Sequence, residues 1–104
     1  MTTLCQVLSS KDDNLFNYQT KDGKSIGLGI SFLFPFIENK ESWPYKQDVM
    51  YWEDWPVRQP ALLFAGLALQ NNEYLNTWQS LDANFTEQEI IRNMPVRYPL
   101  LWIK

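Results

Sequence analysis

Two segments of this chain are apolar on nearly every side, and a helix of that kind has to be buried between neighbours rather than lie on a surface. In residues 26–37, Ile26, Ile30, Leu33 and Ile37 follow the helical spacing while Leu28, Phe32 and Phe36 form a second stripe. Residues 61–69 are almost wholly apolar, with Ala61, Ala65, Gly66 and Ala68 as the small members that let another helix approach closely. A chain of 104 residues has few other elements to cover both. The sequence therefore predicts a large exposed apolar patch, which monomers rarely carry. It points to a fragment of a larger unit, or to a subunit that covers this face in a homo-oligomer.

The helix-end signals agree. Ser25 is a candidate N-cap for the first segment. Pro35 lacks the N–H that would bond to Ser31, which predicts a kink or an early end. Pro60 suits a first helical turn. Asn71-Asn72 breaks the apolar run, and Tyr74, Leu75, Trp78 and Leu81 then mark an amphipathic helix. Helix, two-residue turn and helix make an antiparallel hairpin. At the front, residues 2–9 read as a short helix with Leu4, Val7 and Leu8 on one face. Residues 9–23 read as a polar loop with turns at Lys11-Asp12-Asp13-Asn14 and Lys21-Asp22-Gly23, anchored by the apolar plug Leu15-Phe16-Asn17-Tyr18. Thr86 and Glu89 form a capping box for a last helix over residues 87–92. Pro95 and Pro99 then predict an extended tail ending in Leu100-Leu101-Trp102-Ile103. No period-two alternation or hairpin turn signals a strand. The fold class is all-α, built of antiparallel helical hairpins in a single helical unit over residues 1–104.

Residues 38–56 form a connection long enough to suggest a function, and they hold three of the five tryptophans. In one reading these rings seal the end of a helix layer. In another they form a platform on which sugar rings stack. The candidate substrate-binding residues are Trp43, Tyr45, Tyr51, Trp52, Trp55 and Arg58. Arg58, in the first turn of the following helix, is also placed to pair with Glu53 or Asp54.

Most catalytic chemistries lack their residues. The chain has no histidine, which removes the commonest general base and the commonest transition-metal ligand. Cys5 is the lone cysteine and reads as a small buried side chain. Gly23, Gly27 and Gly29 match no nucleotide-binding fingerprint. Asp48, Glu53 and Asp54 offer paired carboxylates of the glycosidase type, or simply solvated loop charges. Asn84-Phe85-Thr86 is a glycosylation sequon, with Thr86 better explained as a cap. One chemistry remains supplied with residue types: removal of the proton beside a uronate carboxylate, with Tyr45, Tyr51 or Tyr98 as base and Arg58, Arg92 or Arg97 as counter-charge. For each of these a structural role is the simpler reading; Arg97-Tyr98, between prolines, reads as tacking down the tail. No catalytic residue, metal ligand or cofactor is assigned. The net charge of −3 and the absence of any Lys/Arg cluster argue against nucleic acid. No apolar run is long enough to cross a membrane. The first residues, broken by Gln6 and Ser9-Ser10, do not form a signal peptide, so the chain as it stands would remain in the cytoplasm.

Four motifs in order carry a resemblance. Asp13-Asn14-Leu15-Phe16-Asn17-Tyr18, Asp22-Gly23-Lys24-Ser25-Ile26, Phe32-Leu33-Phe34-Pro35-Phe36-Ile37 and Trp43-Pro44-Tyr45 resemble the C-terminal part of the alginate lyase family. The likeness runs from about Leu4 through the helical hairpin that follows Pro60. It implies the last hairpins of an incomplete α/α toroid. The implied parent reaction is β-elimination in acidic polysaccharides made of uronic acids, by bacterial proteins that are periplasmic or secreted. The family's catalytic Asn-His pair and its Arg and Tyr precede the matching region, so the resemblance implies scaffold here, inactive alone. A stand-alone oligomerisation or partner-binding module and a carbohydrate-binding remnant are the alternatives.

Overall fold

A computed structural model of the chain describes residues 1–46, 52–94 and 96–104. It contains five α-helices: α1 (Thr2–Leu8), α2 (Ile26–Glu38), α3 (Pro60–Ala68), α4 (Asn72–Ser80) and α5 (Gln88–Asn93). Short 3-10 turns cover Leu15–Asn17, Lys40–Ser42, Trp52–Asp54 and Pro99–Trp102. The described residues form no strand, only an isolated parallel bridge between Val57 and Asp82. The all-α class holds.

The α3–α4 hairpin is the centre of the core. Leu62, Leu63, Phe64 and Ala65 on α3 are buried, as are Tyr74 and Trp78 on α4. Close approach is possible because Gly66 has no Cβ; a Cβ there would stand 2.7 Å from Leu75 Cδ2. The turn is more specific than the expected break at Asn71-Asn72. Gln70 adopts φ +54°, the left-handed region that a side chain disfavours. Its N–H and that of Asn71 close back on the carbonyls of Leu67 and Gly66, a Schellman arrangement with glutamine where glycine is usual. Asn71 then caps α4, its side-chain oxygen accepting the N–H groups of Glu73 and Tyr74.

Helix α2 begins as expected, with Ser25 Oγ accepting the N–H of Leu28. It does not end at Pro35. A proline removes a single ladder bond, and the backbone closes another turn with the Asn39 N–H on the Pro35 carbonyl at 3.0 Å. Only Ile30 is buried, with Ile26, Phe34 and Ile37 packed partly against the core. Leu28, Phe32 and Leu33 remain 57%, 52% and 46% exposed. The expectation of burial on all sides is thus met on one face only, and the surplus apolar surface faces out.

Helix α1 reverses its expected orientation. Cys5 sits in the core, while Leu4, Val7 and Leu8 are exposed. Seven residues make about two turns, so docking is set by what holds them rather than by the longest apolar stripe. Two side chains hold α1 to the tail: Gln6 Nε2 donates to the Trp102 carbonyl at 2.7 Å, and Lys104 Nζ donates to the carbonyls of Val7 and Ser9. The tail is accordingly a 3-10 turn at Pro99–Trp102 and not an extended strand; Pro95 lies outside the described residues.

The loop before α2 follows its sequence signals. Phe16 is 2% exposed, and Asn14 accepts the Phe16 N–H while donating to the Ala68 carbonyl. Helix α5 starts one residue later than the capping-box reading. Glu87 is its cap and accepts the Glu89 N–H, so Thr86 has no capping role. Glu89 points forward instead, to Arg92 and Asn93.

Candidate functional site: two clefts

The C-terminal half of α2 and the segment leading into α3 enclose a cleft of about 330 Å³. Trp43, Trp52 and Trp55 lie on its wall with Phe36, Ile37 and Leu62. Trp43 is placed by the 3-10 turn Lys40–Ser42, which Ser42 Oγ ties to the Asn39 carbonyl at 2.7 Å. Around Trp43 stand Phe36 at 5.1 Å, Tyr45 at 5.3 Å and Phe32 at 6.4 Å, all close to perpendicular, the favoured edge-to-face arrangement. The polar groups on the wall are few. Lys40 is mostly buried and pairs with the exposed Glu53 at 2.5 Å; Gln59 is also on the wall.

The structure brings three of the six candidate substrate-binding residues together here: Trp43, Trp52 and Trp55. Tyr45 stands beside them, exposed to solvent. Tyr51 and Asp48 lie outside the described residues, as does the side chain of Asp54.

Arg58 belongs elsewhere. Its Nε donates to the Leu81 carbonyl at 3.0 Å and its Nη2 to the Gln79 carbonyl, with Cζ 5.1 Å from the centre of the Trp78 ring. Of its two expected partners, Glu53 pairs with Lys40, and the side chain of Asp54 lies outside the described residues. The cause is the end of α4, whose unpaired carbonyls carry partial negative charge and attract a cation. Arg58 also precedes the helix, since Gln59 is the N-cap residue of α3.

A second cleft, of about 710 Å³, opens between the end of α4, α5 and the tail. Arg58, Arg97, Asn84 and Tyr98 line it with Trp78, Phe85, Leu100 and Leu101. Arg97 lies over the Tyr98 ring, 5.9 Å from Cζ to the centre. The tyrosine and arginines named as residue types for uronate chemistry thus meet in part, around a wall of apolar side chains. Sequence reasoning did not connect Trp78 or Asn84 with them; nothing in the spacing shows that the end of α4 and the tail face one cavity.

The shifted carboxylates lie away from both clefts. The Thr20 hydroxyl and Lys24 hold Asp22 below the ordinary aspartate value. Arg92 and Asn93 do the same to Glu89, and Glu89 in turn raises Arg92. Among the described residues no group of three or more His, Cys, Asp or Glu could hold a metal ion, and no helix is long and apolar enough to cross a membrane.

Compared with known proteins, the chain matches the profile of the alginate lyase family over residues 1–43. That stretch carries α1, the Phe16 plug, α2 and Trp43. Neither the curated proteins nor the solved structures yield a match. The family likeness therefore rests on those residues.

Proposed function

We propose that this chain is a helical scaffold portion of an alginate lyase-like polysaccharide lyase. The parent reaction is β-elimination in a uronic acid polymer. The carrying observation is the family match over residues 1–43, the stretch that holds α1, the Phe16 loop and α2. The exposed stripes of α1 and α2 support the same reading, because further antiparallel hairpins of an α/α toroid would cover them. With no histidine, the chain carries no reacting groups of the family's Asn-His kind. Trp43, Tyr45, Trp52 and Trp55 are its contacts to the sugar chain in this reading.

The test is a lyase assay on the isolated chain with alginate and glucuronan, read as the ultraviolet absorbance of the unsaturated uronate product. No product is expected, and cleavage would refute the scaffold role. Titration of the intrinsic tryptophan fluorescence with alginate oligomers is expected to saturate; a flat response removes the sugar contacts. A second reading, a self-associating helical module, is favoured by the exposed Leu28, Phe32 and Leu33 alone. Light scattering after size exclusion separates the two. A discrete dimer supports the module, whereas ill-defined association supports a scaffold awaiting further helices.

A further inference from the structure

The loop between α4 and α5 carries a motif that the fold leaves unoccupied. Asn84 is the only asparagine of the chain with Ser or Thr two residues on. The sequence accounts for that Thr86 as a helix cap, but Glu87 holds the cap position and accepts the Glu89 N–H. Among the described residues neither the Asn84 carboxamide nor the Thr86 hydroxyl has a hydrogen-bond partner. Asn71 and Asn93, by contrast, spend their side chains on the backbone of α4 and α5. Residues 83–87 belong to no helix or strand. Asn84 and Thr86 are exposed, and between them the half-buried Phe85 lies on the wall of the second cleft. Asp82 holds the loop in shape without engaging either side chain. Its Oδ1 accepts the Asn84 N–H at 2.9 Å, and its carbonyl accepts the Arg58 N–H at 3.0 Å.

We propose that Asn84 is an N-glycosylation site, the acceptor of an oligosaccharide delivered as a glycosyl diphosphate lipid. The acceptor pattern is asparagine, any residue but proline, then Ser or Thr, on a surface loop. Asn84-Phe85-Thr86 meets it in sequence and in placement. In the transfer, Asn84 Nδ2 bonds to the anomeric carbon of the sugar. The bond from that carbon to the diphosphate oxygen breaks, the lipid diphosphate leaves with the electron pair, and one Nδ2 proton passes to a base of the transferase. Carboxamide and hydroxyl must be presented together, and a capping role for Thr86 would have tied up the second. Asn84 shares the cleft wall with the exposed Leu100 and Leu101, so a bulky, hydrated glycan there would shield an apolar part of the surface. This inference does not rest on the lyase-family reading; it requires that the chain meet the transferase outside the cytoplasm.

The test incubates the folded chain with a single-subunit oligosaccharyltransferase of Asn-X-Thr specificity and its lipid-linked oligosaccharide, followed by intact mass spectrometry. A mass gain of one glycan is expected, with peptide mapping placing it on Asn84. Asn84→Gln and Thr86→Ala should each abolish the gain, whereas Thr86→Ser should retain it. Asn76→Gln, on the exposed face of α4 and outside any such motif, should change nothing. Asn84 and Thr86 are exposed and without partners, so their variants are expected to keep the wild-type circular dichroism spectrum and melting temperature. No mass gain on the folded chain, a gain that survives Asn84→Gln, or equal modification of Thr86→Ala would overturn the proposal.

Discussion

Replacing Gly66 by alanine sets two known effects against each other. In a helix alanine is favoured over glycine by about 1 kcal/mol. Against this, the added Cβ would lie 2.7 Å from Leu75 Cδ2, 2.8 Å from Leu75 Cγ and 3.3 Å from the Asn71 carbonyl oxygen. Carbon atoms prefer about 3.5–4.0 Å. Rotation about χ2 moves only the Cδ atoms of Leu75; moving Cγ needs another χ1 rotamer, which the helical backbone of α4 restricts. Relief therefore requires α4 to shift away from α3, and overpacking of this sort costs about 1–3 kcal/mol. The net expectation is destabilisation by about 1 kcal/mol, with the clash outweighing the helical gain. Urea unfolding followed by tryptophan fluorescence reads this directly, since Trp78 is on α4. Leu75→Ala removes the clashing atoms, so the Gly66→Ala cost should vanish in that background and leave a coupling of about 1–3 kcal/mol. A Gly66→Ala protein as stable as the wild type, or a cycle without coupling, would refute the close-approach argument.

Further expectations concern turns, caps and pH. Gln70→Gly should stabilise the hairpin by about 1 kcal/mol, because glycine accepts the left-handed backbone that glutamine resists; a lower urea midpoint would contradict this. Asn71→Ala should cost about 1 kcal/mol through two unsatisfied N–H groups at the start of α4, measured in the same experiment. Phe16→Ala should cost about 3–5 kcal/mol, since the ring is fully enclosed and the loop has no other anchor of its size. Asp22 and Glu89 are held below their ordinary values, so their contribution is present above the unfolded carboxylate range and is lost as pH falls through the lower folded values. Acid titration of α5 helicity should flatten in Glu89→Gln, and an unchanged profile would show that Glu89 contributes nothing.

Local rules made much of the fold legible. The Ser25 cap, the Pro60 start and the Phe16 plug depend on neighbours in the chain, and each is found as the sequence implies. Where long-range contacts decide, the reading failed. The stripe of Leu4, Val7 and Leu8 was a sound helical pattern, yet Cys5 is the buried residue, in the same core cluster as Phe16, Leu62 and Leu63. Thr86 lost the cap to Glu87, a shift of one residue that propensity alone does not resolve. The candidate site divides in the same way. Trp43, Trp52 and Trp55 share a cleft because the loop brings them back to α2, which their clustering suggested. Arg58 lies apart from the three tryptophans because the carbonyl end of α4 holds it, and a helix end has no signature at a residue more than twenty positions away.

The grip of the tail on α1 affects how the chain assembles. Gln6 and Trp102 are 96 positions apart, so the contact that steadies the first helix encloses almost the whole polypeptide. A helix of seven residues is too short to persist by itself in water. Its amides should therefore gain protection from solvent exchange late in refolding, after the α3–α4 hairpin exists and the tail has come round to clasp it.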